Sequence, residues 1–359
     1  MQTKTKCLFI ILICLCSIYP IYTNVLYGIG ETTYQNHLDW LNNKSLFYNP
    51  WQYRILSPLS VELINYILDN TLYKILFLIY TPHSINTNQV IHSPNGFFLA
   101  MLSDKATMTY TLTFAIIRFL QHLIIFGLWG LLLRPFLKNQ MWFYLAIPFL
   151  SLSFANAVFN SDFALSVYFE IIFYLLACYI CLYKKSYLYL LFVIFLAGLN
   201  RETSVLIPFF VFFLNDKKIE PNWDLKESLL NRQNIFKLLI GLLVFMIAFL
   251  MPRLYFGWVK PSEGHSIALF HNLMSLNTIY VGLNLFGTVT LTPFIALWWL
   301  KKTDLFFKFL FWLITPFWII LHFSLSAAEE SRLFLVPYVL VWLPITLFFL
   351  DRLYLRDFE

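Results

Sequence analysis

Long apolar runs broken by short polar or basic stretches set the pattern of this chain. Lys4 and Lys6 precede a run from Cys7 to about Tyr27. The next clear run covers Met108 to Leu133 and ends at Arg134 and Lys138. Then come Met141 to Asn160, Phe163 to Leu182 before Lys184 and Lys185, and Ser186 to Leu214 before Lys217 and Lys218. Ile235 to Met251, Asn277 to Leu300, Leu305 to Ser324 and Leu333 to Leu350 complete the set, with Lys301 and Lys302 between two of them and Arg352 and Arg356 behind the last. Apolar runs near 20 residues predict helices that cross a hydrocarbon core of about 30 Å.

Ser186 to Leu214 is too long for one crossing, about 43 Å as a single helix. Lysine pairs flank it on both sides, and the positive-inside rule places both pairs in the cytoplasm. A hairpin of two short helices over 186–214, turning at Asn200, Arg201 and Glu202, meets both conditions. Its arms reach only about 20 Å, so the turn stops inside the membrane or near its outer face. Irregular backbone at that depth survives only against protein or a water-filled cavity.

Counted this way, residues 1–359 form a single all-α, polytopic transmembrane bundle of about ten passes, with both termini inside. The first run reads as an uncleaved helix, because it is long and no small-residue cleavage site follows. Residues 28–107 become the first extracytoplasmic loop. Its middle, Ile55 to Tyr80, is apolar but interrupted by Pro58, Glu62, Asp69, Asn70 and Lys74, which predicts two interfacial helices rather than a span. Residues 215–234 form a polar cytoplasmic loop.

Composition agrees. Hydrophobic residues make up 60% of the 359 and charged residues 12%, against about 25% charged in a soluble domain. A soluble enzyme, a disordered chain and a nucleic-acid binder are excluded. The net charge of +6 records orientation rather than affinity for nucleic acid. Five cysteines lie inside apolar runs and show no disulfide framework. Cys178 and Cys181 form a CxxC without a nearby His, which reads as packing.

The informative residues are polar groups at unusual depth, since an intramembrane charge costs about 2.5–3.5 kcal/mol on insertion scales. The first cluster follows the first helix and holds Glu31, Tyr34, His37 and Asp39. The second is Pro50 to Pro58, where Tyr53 and Arg54 start the interfacial helix; Arg54 snorkels at the head-group level or binds an anion through its planar fork. The third is the hairpin turn with Arg201 and Glu202, which either pair with each other or face a polar cavity. The fourth, Ala327 to Phe334, carries Glu329, Glu330 and Arg332. Arg253 and His265 fall in another outer loop on weaker grounds. Arg118 and His122, four apart, share a helix face and read as a structural polar contact. No Gly-rich phosphate loop, GxSxG or HExxH occurs. The four main clusters land on one side of the membrane, the pattern of a single outer-face site.

At these residues the chain resembles the GT-C superfamily of integral-membrane glycosyltransferases, especially poorly characterised bacterial members associated with surface-polysaccharide synthesis. The likeness rests on an acid early in the first outer loop (Glu31, with Tyr34 after it and Asp39 as second candidate), the Tyr-Arg-x-Leu-x-Pro stretch from Tyr53 to Pro58, the Arg-Glu-Thr turn from Arg201 to Thr203, and the acid–Arg pair Glu330 and Arg332. The resemblance implies a polyprenyl-phosphate-linked sugar donor, used from the membrane lipid on the extracytoplasmic side of a bacterial inner membrane. It implies inverting transfer to a cell-surface glycan, lipid or protein. Glu31 and Asp39 would be the catalytic acids; Tyr34, His37, Tyr53, Arg54, Arg201, Glu202, Glu330 and Arg332 would bind substrate. The leading acid is Glu where Asp is commoner, and there is no DxD pair. The cofactor is therefore open, with a divalent metal possible.

Two rival classes stand beside the transferase. A lipid or oligosaccharide flippase needs charges lining a path through both halves of the bundle, and the cytoplasmic half lacks them. A non-catalytic structural membrane protein would tolerate loss of the outer arginines and carboxylates.

Overall fold

The computed structural model describes residues 3–28, 30–42, 53–79, 105–139, 141–158, 163, 165–183, 185–214, 228, 230–257, 277–325 and 330–356. Among them every element is helical and no strand occurs. The helices are α1 (Thr3–Tyr27), α2 (Gly30–Leu41), α3 (Leu56–Asp69), α4 (Leu72–Ile79), α5 (Lys105–Leu133), α6 (Met141–Ala157), α7 (Leu165–Leu182) and α8 (Tyr187–Gly198). A 3₁₀ arm, Glu202–Phe213, is followed by α9 (Arg232–Phe256), α10 (Asn277–Val289), α11 (Thr292–Trp299) and α12 (Leu305–Leu325). A 3₁₀ turn, Ser331–Phe334, and a π-helical stretch, Tyr338–Trp342, lead into α13 (Leu343–Arg356).

Among the described residues six helices are long and apolar enough to cross a membrane, or seven if the pair Ile279–Val289 and Thr292–Lys302, bent by 68°, is one span. The protein thus has the character of a multi-pass membrane bundle. Met141–Ala157 and the two hairpin arms are apolar but shorter. The stretch 28–107 contains α2, α3 and α4. α3 and α4 are two short helices, and Val61 of α3 is buried against Phe114, Ile117, Phe163 and Leu165. Most of the loop 215–234, along with Glu329 and His265, lies outside the described residues.

Side-chain contacts fix how the helices run. Phe9 packs on Tyr144 at 4.9 Å, Ser151 donates to the Cys16 carbonyl and Asn24 to that of Val158, so α1 and α6 are parallel. Gln121 donates to Leu165 O and Tyr183 to Leu131 O, so α5 and α7 run together in one direction. His122 of α5 stacks on Phe154 of α6, and Trp129 packs on Phe143, so these two helices run oppositely.

The hairpin over 186–214 is observed. Ser186 caps α8 by accepting from Leu188 N. Tyr187 bonds the Lys237 carbonyl, and Gly198 meets Ala248 and Phe245, so α8 runs with α9. The 3₁₀ arm returns: Glu202 pairs with Arg253, Pro208 lies against Gly241, and Ser228 donates to Phe212 O. Gly198 is needed at the crossing, because an added Cβ would sit 2.9 Å from Ala248 Cβ. The return arm holds Pro208, which has no N–H to give. Wound as a 3₁₀ helix, its 12 residues reach about 24 Å, further than an α-helical arm would.

The bundle therefore has two distinct ends. One holds the hairpin turn, the starts of α5 and α7 and the finish of α9. The other holds Arg134, Lys138, Lys185, Arg232, Lys237, Lys301, Lys302, Lys308 and Arg352. There Asp351 clamps the α5–α6 connection by accepting from the backbone N–H of Lys138 and Asn139.

Candidate functional site

The turn end collects charged side chains from four separate parts of the chain. Arg201 stands at the hairpin turn in extended backbone, φ −152° and ψ 149°. Neighbouring side chains of an extended segment point to opposite sides, so Arg201 and Glu202 diverge. Arg201 turns inward to Glu170 of α7, Nη1 to Oε2 at 3.1 Å, with the side chains 5% and 1% exposed. The Thr203 hydroxyl donates to the other oxygen of Glu170. Glu202 turns outward between two further arginines. Its Oε1 accepts from Arg253 Nη2 at 3.1 Å and its Oε2 from Arg54 Nη2 at 3.3 Å. Of the two readings of this turn, the one in which Arg201 and Glu202 bond to each other is not realised, because the local backbone sends them to different partners.

The turn is pinned from below. Asn200 donates to Ser166 O at 2.8 Å and Tyr174 to Thr203 O at 2.7 Å. Tyr53 donates to Gly257 O at 2.8 Å, and its ring carries the Arg253 guanidinium at 4.4 Å, with Phe249 on that cation at 3.5 Å. These bonds set Tyr53 and Arg54 against the finish of α9. His322 of α12 is buried within electrostatic reach of Arg201 and Arg54. Among the described residues, three arginines and two carboxylates meet here. Burial pushes the Arg54 pKa down to about 10, and the Arg201 charge adds to that, against Glu202 and Glu170.

A second group lies along α3. His37 of α2 bonds Glu62 at 2.7 Å, and Tyr110 of α5 donates to the same Glu62 oxygen at 3.0 Å. The Tyr34 ring packs on Tyr110 at 5.4 Å. Asp39 is buried on α2, next to Trp40, whose ring meets Phe256 at the finish of α9. Glu31 belongs to the first turn of α2, and its side chain lies outside the described residues. Arg332 is tied to its neighbour, Nη2 to Glu330 Oε2 at 2.8 Å, while Ser331 bonds Thr288 of α10.

The structure therefore brings together Tyr53, Arg54, Arg201 and Glu202. It joins Tyr34 and His37 in a separate group and leaves Glu330 and Arg332 paired locally. Arg118 stacks on Tyr168 at 3.7 Å and His122 bonds Ser17 O, both as structural contacts. Sequence reasoning missed Glu170 and His322 and gave Arg253 too little weight. Glu170 had a signal: it is the sole acid in the apolar helix Leu165–Leu182. Among the described residues no group of three or more His, Cys, Asp or Glu could hold a metal ion. No family model, curated protein or solved structure matches the chain.

Proposed function

We propose that this protein is an integral-membrane glycosyltransferase of GT-C type, which moves a sugar from a polyprenyl-phosphate carrier to a cell-surface acceptor. The observation that carries the reading is the cluster of Arg54, Arg201 and Arg253 with Glu170 and Glu202, buried at Arg201, Arg253 and Glu170 and partly open at Arg54 and Glu202, assembled at one end of the bundle. Cations at a membrane-embedded site suit a lipid-borne phosphate, because Arg forms directed bonds to phosphate oxygens. Cleavage of the sugar–phosphate bond turns a phosphodiester into a monoester and adds negative charge to the leaving group. Fixed positive charge there lowers the barrier. Inverting transfer also needs a carboxylate to take the acceptor proton. Glu31, in the first turn of α2, is the base, with Asp39 the second candidate.

The basic residues of the opposite end support a cytoplasmic placement for it, and hence an outer placement for the cluster. With the short helix α6 and both hairpin arms counted as crossings and the bent pair as one, the chain makes about ten passes. The test is sugar transfer from a polyprenyl-phosphate donor in membranes. Glu31→Gln should lower the rate by about 10²–10⁴. Full activity in Glu31→Gln with loss in Asp39→Asn makes Asp39 the base. Transfer unaffected by either change, and by Arg54→Met, leaves the structural-protein reading.

A further inference from the structure

The glutamates divide by the partner they meet. Among the described residues, Glu170, Glu202 and Glu330 each pair with an arginine, whereas Glu62 of α3 pairs with none. Glu62 is held instead through one oxygen: His37 Nε2 at 2.7 Å and the Tyr110 hydroxyl at 3.0 Å both meet Oε1. A carboxylate only accepts, so both partners donate. Packing fixes this arrangement. The His37 side chain is buried, its ring 5.2 Å from Tyr110 and 5.8 Å from Phe114, and Val61 anchors α3 in the neighbouring apolar cluster. Oε2 meets no described residue, and the Glu62 side chain is 37% exposed. Leu59 and Tyr66, three positions before Glu62 and four after it, share its helix face and are exposed. An open, oriented carboxylate oxygen thus lies beside exposed apolar surface.

We infer that Glu62 determines specificity for the acceptor: its open oxygen seats a hydroxyl group of a neutral, lipid-linked sugar and rejects an acidic one. A hydroxyl that donates to a carboxylate makes a charge-assisted bond, about twice as strong as one between neutral groups. An acidic sugar brings a second negative charge to a carboxylate that has no arginine to offset it, and like charges at that distance repel. The apolar surface at Leu59 and Tyr66 suits the alkyl part of such a molecule. His37 and Tyr110 are positioning residues, which aim Glu62 by occupying its other oxygen and do not touch the sugar. Calling this molecule the acceptor rests on the transferase reading; its binding does not.

The experiment uses the full chain in amphipol and titration calorimetry. The probes are the octyl glycosides of glucose, galactose and mannose, below their micelle-forming concentrations, and octyl glucuronide as the acidic counterpart. At least one neutral glycoside should bind, and more tightly than the glucuronide. Losing a hydrogen bond to a charged partner is worth about tenfold or more in affinity. Glu62→Gln should therefore weaken the neutral glycoside about tenfold, and bind the glucuronide more tightly than the parent does. A variant that merely folds badly weakens both, so the opposite signs separate a site from a structural role. His37→Phe removes one of the two positioning donors and should weaken the neutral glycoside, whereas His37→Gln, which keeps an N–H donor, should restore most of the loss. Glu62→Asp, which keeps the charge but shortens the reach, should keep the preference for neutral over acidic sugar and covers the case in which the amide variant does not fold. No binding of any neutral glycoside, or changes of the same sign for both kinds of probe in Glu62→Gln, overturns the proposal. The expected pattern in a chain that transfers no sugar leaves the site standing and refutes only the transferase reading.

Discussion

Replacing Glu170 by Gln keeps the shape of the side chain and removes the only partner of the inward-facing Arg201 guanidinium described here. Both groups are at most 5% exposed, with N and O 3.1 Å apart, so little solvent is available to take over. Losing one member of such a pair strands a buried charge and costs about 3–5 kcal/mol. Gln can still accept from Thr203, which sets its cost near the lower end, about 3 kcal/mol; Glu170→Ala should lie near the upper end. Interhelical hydrogen bonds in membranes average only about 0.6 kcal/mol, so the Thr203 and Tyr174 bonds cannot produce a loss of that size. Glu170→Leu combined with Arg201→Leu removes both charges and should recover most of the stability, since an apolar pair often replaces a buried ion pair without net loss. The coupling between the sites should exceed about 2 kcal/mol, within the range for residues in direct contact. Equilibrium unfolding in mixed micelles, followed by circular dichroism, gives the cycle. Single changes costing under about 1 kcal/mol, or a double change equal to their sum, would falsify the assignment of the turn's stability to this pair.

Three further outcomes follow from the geometry. A cysteine at exposed Asn70, between α3 and α4, should react with a membrane-impermeant maleimide from outside intact cells; reaction only after the membrane is opened would invert the proposed orientation. Burial holds His37 below its ordinary pKa and outweighs Glu62, so the folded state favours neutral imidazole. Its contribution is then complete above about pH 6.5 and is lost as pH falls through the lowered folded value. His37→Gln should flatten stability against pH in that acid range, and an unchanged profile would count against it. Gly198→Val should destabilise the protein by about 1–3 kcal/mol through overpacking against Ala248 and the Phe245 backbone; a stability within error of the parent would show that α8 and α9 are free to part.

The sequence alone determined the membrane character, because a lipid interior admits only helices that satisfy their own backbone and hide few charges, and run length and lysine pairs record both conditions. It also determined the hairpin over 186–214, since a run too long for one crossing and flanked by basic pairs has few other solutions. The paired short helices after Ile55 were legible for a related reason: polar residues interrupt the apolar run every few positions. Tertiary structure alone decided who pairs with whom. Arg201 and Glu202 are neighbours, yet an extended residue at the turn sends one to Glu170 and the other to Arg54 and Arg253. Glu170 was visible as a lone acid among apolar residues, but nothing local names its partner, 31 positions on in numbering and on another element. Arg253 gained its place only because α9 finishes beside that turn. A helical pattern fixes which face is apolar and how far a segment reaches; the angle and register at which two helices meet depend on every side chain between them, and at this end of the bundle that register makes the site.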